Sequence, residues 1–197
     1  MNKKSVSASI LVLFLALVFA VIGACFSSFV YINKKIEFAE IKIVATSGIE
    51  IFEDKEFKTK IDKFKLSDMK LGLKPATGEI DAETKIPSTV NDTDSSEGYY
   101  EKLYVKSSSA YKIVISDVKV ENEKDEIAAD AERKNIYVSI KGIENSTKSL
   151  ENDIVEVSTV REEFESKELV FLFWLSSISG EELVGSKISF KVEFIGI

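Results

Sequence analysis

The chain has 197 residues, a net charge of −7, no histidine and one cysteine. Without histidine, Ser-His-Asp and Cys-His nucleophiles, His-Glu-x-x-His zinc sites and zinc-activated deamination are excluded, and a lone thiol makes no internal disulfide. All 33 acidic residues but only 22 of the 26 basic ones lie beyond Lys35, and an excess of 11 negative charges there excludes a nucleic-acid partner.

The first element is apolar. Ala8 to Ile32 carries no charge, with Lys3 and Lys4 before it and Lys34 and Lys35 after it. As a helix it would measure about 37 Å against a hydrocarbon core of about 30 Å. Ala8, Ile10, Phe14, Phe19 and Ile32 therefore mark a membrane segment whose partner is lipid, and residues 1–35 form a signal or signal-anchor unit. Three fates stay open. A retained anchor fits because Ile10 to Phe26 exceeds the ~7–15 apolar residues of a signal peptide. Ile22-Gly23-Ala24-Cys25 reads as a lipobox, with Cys25 the residue lipidated. Cleavage near Ala24 or Ser28 would release the remainder. In each case the domain is exported, so we expect a membrane-anchored or secreted protein with its domain on the extracellular side.

Residues 36–197 are enough for one domain with its own core. Ile36 to Ala45 predicts a strand with two apolar faces and a bulge near Ala39 and Glu40, because Ile36 and Phe38 shift phase to Ile41 and Ile43. Ser47-Gly48 turns into a second strand, Ile49 to Phe52. Pro75, Gly78 and Pro87 punctuate a long polar loop at 74–98, expected to be the most mobile part. Tyr99 to Val105 and Tyr111 to Val120 read as paired antiparallel strands. Lys124 to Arg133 predicts one short helix. Further strands fall at Asn135 to Ile143, Glu151 to Val160, Leu169 to Leu175 and Lys187 to Phe194. The run Leu169 to Leu175 is apolar at every position, so it is buried on both faces or awaits a partner. The pattern predicts an all-β fold: a jelly-roll-like antiparallel β-sandwich with one short helix, preceded by the N-terminal hydrophobic helix.

These pieces occur in an order that resembles the TasA/camelysin family of exported bacterial surface and biofilm-matrix proteins. The resemblance rests on the apolar leader running into Tyr31-Ile32-Asn33-Lys34-Lys35, on Ala45-Thr46-Ser47-Gly48-Ile49-Glu50-Ile51, and on Leu73-Lys74-Pro75-Ala76-Thr77. It continues in Gly98-Tyr99-Tyr100-Glu101, Leu103 to Ser107 and Phe173-Trp174-Leu175, and ends in Gly185 to Phe190. It implies a jelly-roll domain exported through a leader cut by a dedicated signal peptidase, and subunits that build surface fibres by passing a strand to the next copy. Phe29, Val30 and Tyr31 lengthen the apolar run beyond the family's usual leader. The protease activity for which camelysin was named does not carry over, because no histidine is present to hold zinc.

Asp92, Asp94 and Glu97, and Glu121, Glu123, Asp125 and Glu126, are the available oxygen ligands, but no Asp-x-Asp-x-Asp-Gly calcium loop exists and they read as solvated charges. Lys106 beside Ser107, Ser108 and Ser109 reads as a turn rather than a Ser-Lys nucleophile. Asn91 and Asn145 match glycosylation acceptors and read as turn residues. We expect no enzyme activity, no cofactor and no metal. The expected function is structural or interactive: an exported surface protein that self-associates, or joins another surface protein, by edge-strand pairing. Ile36, Phe38, Ile41 and Ile43 belong to the expected donated strand. A membrane-anchored binding module for protein or glycan, using the loop at 74–98, is the alternative.

Overall fold

A computed structural model describes residues 13–22, 37–64, 66, 76, 78–91, 97–122, 125–160, 166–176, 181–183 and 185–197. The chain divides into two compact units, Met1–Lys35 and Ile36–Ile197. In the first, residues 13–22 form a helix, α1, on which Leu13, Phe14, Leu15, Leu17, Phe19, Val21 and Ile22 are all exposed. Ala8, Ile10, Cys25, Ile32 and Ile36 lie outside the described residues. Among the described residues no helix is long and apolar enough to cross a membrane.

The second unit is a β-sandwich. Its strands are β1 (Glu37–Phe38), β2 (Ile41–Ala45), β3 (Ile49–Phe52), β4 (Lys63–Phe64), β5 (Gly98–Ser107), β6 (Tyr111–Glu121), β7 (Ile136–Ile140), β8 (Lys148–Ser149), β9 (Ile154–Val160), β10 (Lys167–Leu175) and β11 (Lys187–Gly196). One sheet runs β4-β2-β11-β6-β9, with β1 also paired to β11; the other runs β3-β5-β10-β7-β8. From β2 to β7, and again from β9 to β11, each strand lies in the opposite sheet from its predecessor. This alternation corrects the expected pairing of Tyr99–Val105 with Tyr111–Val120. β5 bonds β3 and β10 in one sheet, while β6 bonds β11 and β9 in the other. Both strands have one apolar face, and the short Ser108–Ala110 link lets them face each other across a shared core instead of pairing side by side.

Period-two patterning decides which atoms make that core. Tyr111, Ile113 and Ile115 point inward, and Val118 and Val120 continue the same face after a phase change. The change is a β-bulge: the β6–β11 register slips between Ser189 and Lys191, and Asp117 takes φ +54°. On β11, Ile188, Phe190, Val192 and Phe194 face the core from the other side of the same ladder. The predicted helix is present as α2 (Glu126–Ala131), started by Asp125, whose carboxylate accepts the Ala128 N–H at 3.0 Å.

β10 is buried twice. Leu169, Phe171, Phe173 and Leu175 enter the sandwich core, whereas Val170, Leu172 and Trp174 form a second cluster on the outer face with Ala76, Val90, Ile86, Tyr100 and Tyr137. The cover comes from the segment expected to be mobile. Its described residues fold back on themselves through an Ile80–Pro87 bridge and lie on the sheet, with Ala76 N–H bonded to Leu175 O at 2.9 Å. Removing a Leu or Trp side chain from water contributes about 2 kcal/mol, which is why a greasy strand holds this polar strap down.

Candidate functional site

The expected donated strand can do only what its place in the sheet allows. It is two strands rather than one. The run breaks at Ala39 and Glu40, where four steps from Phe38 to Lys42 oppose three from Ile188 to Lys191, so the phase shift seen in the sequence is one extra residue on this side of the ladder. Phe38, Ile41 and Ile43 are buried in the core, but Lys42 and Val44 face outward, Val44 with 48 % of its surface exposed. The expectation of two apolar faces is thereby corrected: β2 has one.

Both pieces lie parallel to β11, the last strand of the chain, while every other pair among the described strands is antiparallel. Cα partners are Phe38 with Ile188, Lys42 with Lys191, Ile43 with Val192 and Val44 with Glu193. Ala39 N–H donates to Ile188 O at 2.7 Å and Thr46 N–H to Phe194 O at 2.9 Å. The Gly196 N–H donates to Thr46 Oγ1 at 2.8 Å, closing the far end. On the side leading to the rest of the domain, only the Thr46–Gly48 turn joins this pair of strands to β3. A strand paired to a partner some 150 positions away, with β3 to β10 as the connection between the two, is a non-local contact whose closure carries a large loop-entropy cost.

One open side of the sandwich is laced shut. Ile61 N–H donates to Ile51 O at 3.0 Å and Glu53 N–H to Thr59 O at 3.1 Å, tying this segment to the β3 edge. The same segment then crosses to the other sheet, where Asp62 O accepts Ile43 N–H at 2.7 Å and β4 pairs with β2. The opposite side is open. There β9 has β6 as its one neighbouring strand among the described residues, and a groove of about 560 Å3 runs between β9 and the β8 side, lined by Ile143, Lys148, Glu156, Val157 and Ser158 among others. A β9 bulge at Val157, between Ser158 and Glu156 in the β6 register, and the charge of Glu156 on this rim, blunt the edge.

Glu101 was not singled out in the sequence. Its Cα partner on β10 is Phe171, and its neighbours two residues away on β5 are Tyr99 and Leu103, all facing the core. The carboxyl therefore sits on the inner face of the sheet. Partial burial pushes its pKa up to about 7; the nearby Glu53 charge adds to the rise, and the backbone N–H of Lys102 opposes it. The signal was legible: Tyr99-x-Glu101-x-Leu103-x-Val105 holds the acid in phase with three core residues.

The remaining candidates are placed as follows. Asp92, Asp94 and Glu123 lie outside the described residues, and Asp125 serves as a helix cap. No group of three or more acidic or thiol side chains that could hold a metal occurs among the described residues. Ser107 is buried and its hydroxyl donates to Ser109 O at 2.8 Å, which fixes the β5–β6 corner. Asn145 takes φ +57° in the turn before Ser146, whose hydroxyl bonds Ile140 O at 2.9 Å and Ile143 O at 2.8 Å.

Fold and site together define an all-β, two-sheet sandwich whose N-terminal strands are seated on its C-terminal one. No family model matches the chain, and no curated protein matches it in sequence.

Proposed function

We propose that the chain is an exported cell-surface structural or interaction protein, a fibre or biofilm-matrix subunit of TasA/camelysin type, whose copies join by edge-strand pairing. On this reading the body is a jelly roll, supported by the alternation of strands between the two sheets. The leader is a membrane or signal segment, supported by a described helix that exposes apolar side chains on all sides. The domain faces the cell exterior and does no chemistry.

The observation that carries this reading is the parallel seat of β1 and β2 along β11. Tethered to the rest of the sandwich through a short turn, β1 and β2 can fill the same slot in a neighbouring copy while keeping every backbone bond and returning Phe38, Ile41 and Ile43 to an identical core. The test mixes two full-length chains, one carrying Val44→Cys and the other Glu193→Cys, each with Cys25→Ser. Because these positions are Cα partners, donation predicts disulfide-linked pairs of unlike chains that appear together with fibres. Fibres that form without such pairs would exclude strand donation.

A second reading, an extracellular binding module for protein or glycan, is favoured by the groove between β8 and β9. A strictly monomeric protein that retains glycan or protein on an array would select it.

A further inference from the structure

We propose that Glu101 couples proton uptake to the seating of the N-terminal strands: protonated, it lets β1 and β2 close on the core, and ionised, it loosens them. The regulatory consequence, control of strand donation, rests on the function proposed above, whereas the coupling itself does not.

The geometry begins with four residues on the inner face of one sheet. Glu101 and Phe171 are direct cross-strand partners, as are Tyr99 and Phe173, so the four form a contiguous tile on β5 and β10. Phe171 and Phe173 stack at 6.3 Å. Phe38 of β1 rests on two members of that tile, edge-on to Tyr99 at 5.5 Å and tilted against Phe173 at 6.1 Å, and it touches Phe190 of β11 at 6.1 Å. Phe38 is thus the side chain through which β1 grips the core, and the Glu101–Phe171 pair is the next same-face rung of the ladder it rests on.

The charge on that carboxyl is poorly compensated. Among the described residues, the groups that act on it are the Lys102 N–H, which favours the anion, and Glu53, which opposes it. Around it on the inner face of the same sheet stand Tyr99 and Leu103 on β5 and Leu169, Phe171 and Phe173 on β10, of which Tyr99 alone carries a titratable group. The β3–β5 ladder ends at the Phe52–Tyr104 pair, before Glu101 is reached. An anion here draws water toward the aromatic tile. Seating Phe38 removes that water, so closing the strand disfavours ionisation and ionisation disfavours closing, by the same factor. The pKa near 7 places this exchange around neutral pH.

The experiment follows hydrogen exchange of the backbone amides of residues 37–45 in the full chain, held in detergent micelles, at pH 5.5 and 8.5 and corrected for intrinsic rates. Protection of these amides is expected to fall about tenfold at the higher pH, the equivalent of one unit of linked pKa shift. Glu101→Gln is expected to hold the same protection at both. Glu53→Gln, which leaves the inner face intact, should move the midpoint of the loss to lower pH. Protection that is independent of pH in the unaltered chain, or a pH dependence that survives in Glu101→Gln, would overturn the coupling. Fibre assembly is recorded in parallel: proton-linked protection without fibres sustains the coupling and removes the fibre reading, whereas fibres with flat protection do the reverse.

Discussion

Tyr137 and Trp174 face each other across the β7–β10 ladder, and their rings stack with centroids 5.7 Å apart and planes 15° from parallel. They lie on the outer face of their sheet, yet Trp174 is almost entirely buried, because the strap carrying Ala76, Ile86 and Val90 covers it. Trp174 is the one tryptophan of the chain, so its emission reports directly on whether the strap is down.

The strap closes on itself at Gly78. A Cβ there would stand 2.5 Å from Ser88 Oγ and 2.8 Å from the Thr89 backbone nitrogen, closer than a side chain tolerates. Gly78→Val is therefore expected to spread the strap, shift Trp174 emission to the red and lower stability by about 1–3 kcal/mol. Fluorescence and urea titration of the same sample check both effects. An unshifted spectrum with an unchanged midpoint would mean that the strap does not depend on this close approach.

Tyr111 is 1 % exposed and, among the described residues, its hydroxyl has no hydrogen-bond partner, while burial pushes its pKa up to about 12. The ring packs against Phe194 at 6.0 Å, and that contact survives removal of the hydroxyl. A buried, unpaired hydroxyl costs about 1–3 kcal/mol of desolvation. Tyr111→Phe should therefore stabilise the fold by about 1 kcal/mol, read as a rise in the urea midpoint without a change in slope. A loss of stability would show that the hydroxyl is paired in solution.

Arg133 is 14 % exposed at its side chain and ties three separate segments together. Its guanidinium donates to Val118 O at 2.8 Å, to Glu151 O at 3.2 Å and to Asp153 Oδ1 at 2.7 Å, and it pairs with Asp130 at 3.2 Å. A lysine has one point of donation and cannot reproduce this fork. Arg133→Lys is expected to cost about 2 kcal/mol and Arg133→Ala more, since two backbone carbonyls lose their donor. Equal stability of the lysine and arginine forms in thermal melts would contradict this.

What the sequence made legible was local. The unbroken apolar run of β10 called for burial on both faces or a partner, and the structure has the first; the bulge at Asp117 is written in the sequence as a phase change between Ile115 and Val118 that the reading of Tyr111–Val120 as one plain strand does not capture. Partner choice was not legible. Nothing in Tyr99–Val105 or Tyr111–Val120 distinguishes a hairpin from two strands that face each other across a core, because one apolar face satisfies either arrangement. β4 and β8 are two residues long and too short for any period to register. Glu101 is readable by phase, but the segment around it has the composition of an ordinary half-buried strand, in which a single acid carries no distinct signal.

Glu101 also sets a pH dependence for the whole fold. The folded chain holds this proton up to a pH of about 7, whereas the exposed carboxyl of the unfolded chain releases it near 4.5. Between these values the folded state binds more protons, so stability declines as pH rises and levels off above about 7. The difference between the two values sets a ceiling of roughly 3 kcal/mol, and partial access of water reduces it to about 1 kcal/mol. Glu50, Asp54, Asp81 and Asp117 have pKa values lowered by hydrogen bonds, with nearby lysines adding to the effect at Glu50, Asp81 and Asp117, so their contributions are lost as pH falls below the window from pH 5 to 8 and carry the opposite sign. Urea midpoints should fall across that window in the unaltered chain and stay level in Glu101→Gln, which becomes the more stable of the two at pH 8. If both lines slope alike, the carboxyl ionises freely in the folded state and is not held inside the sandwich.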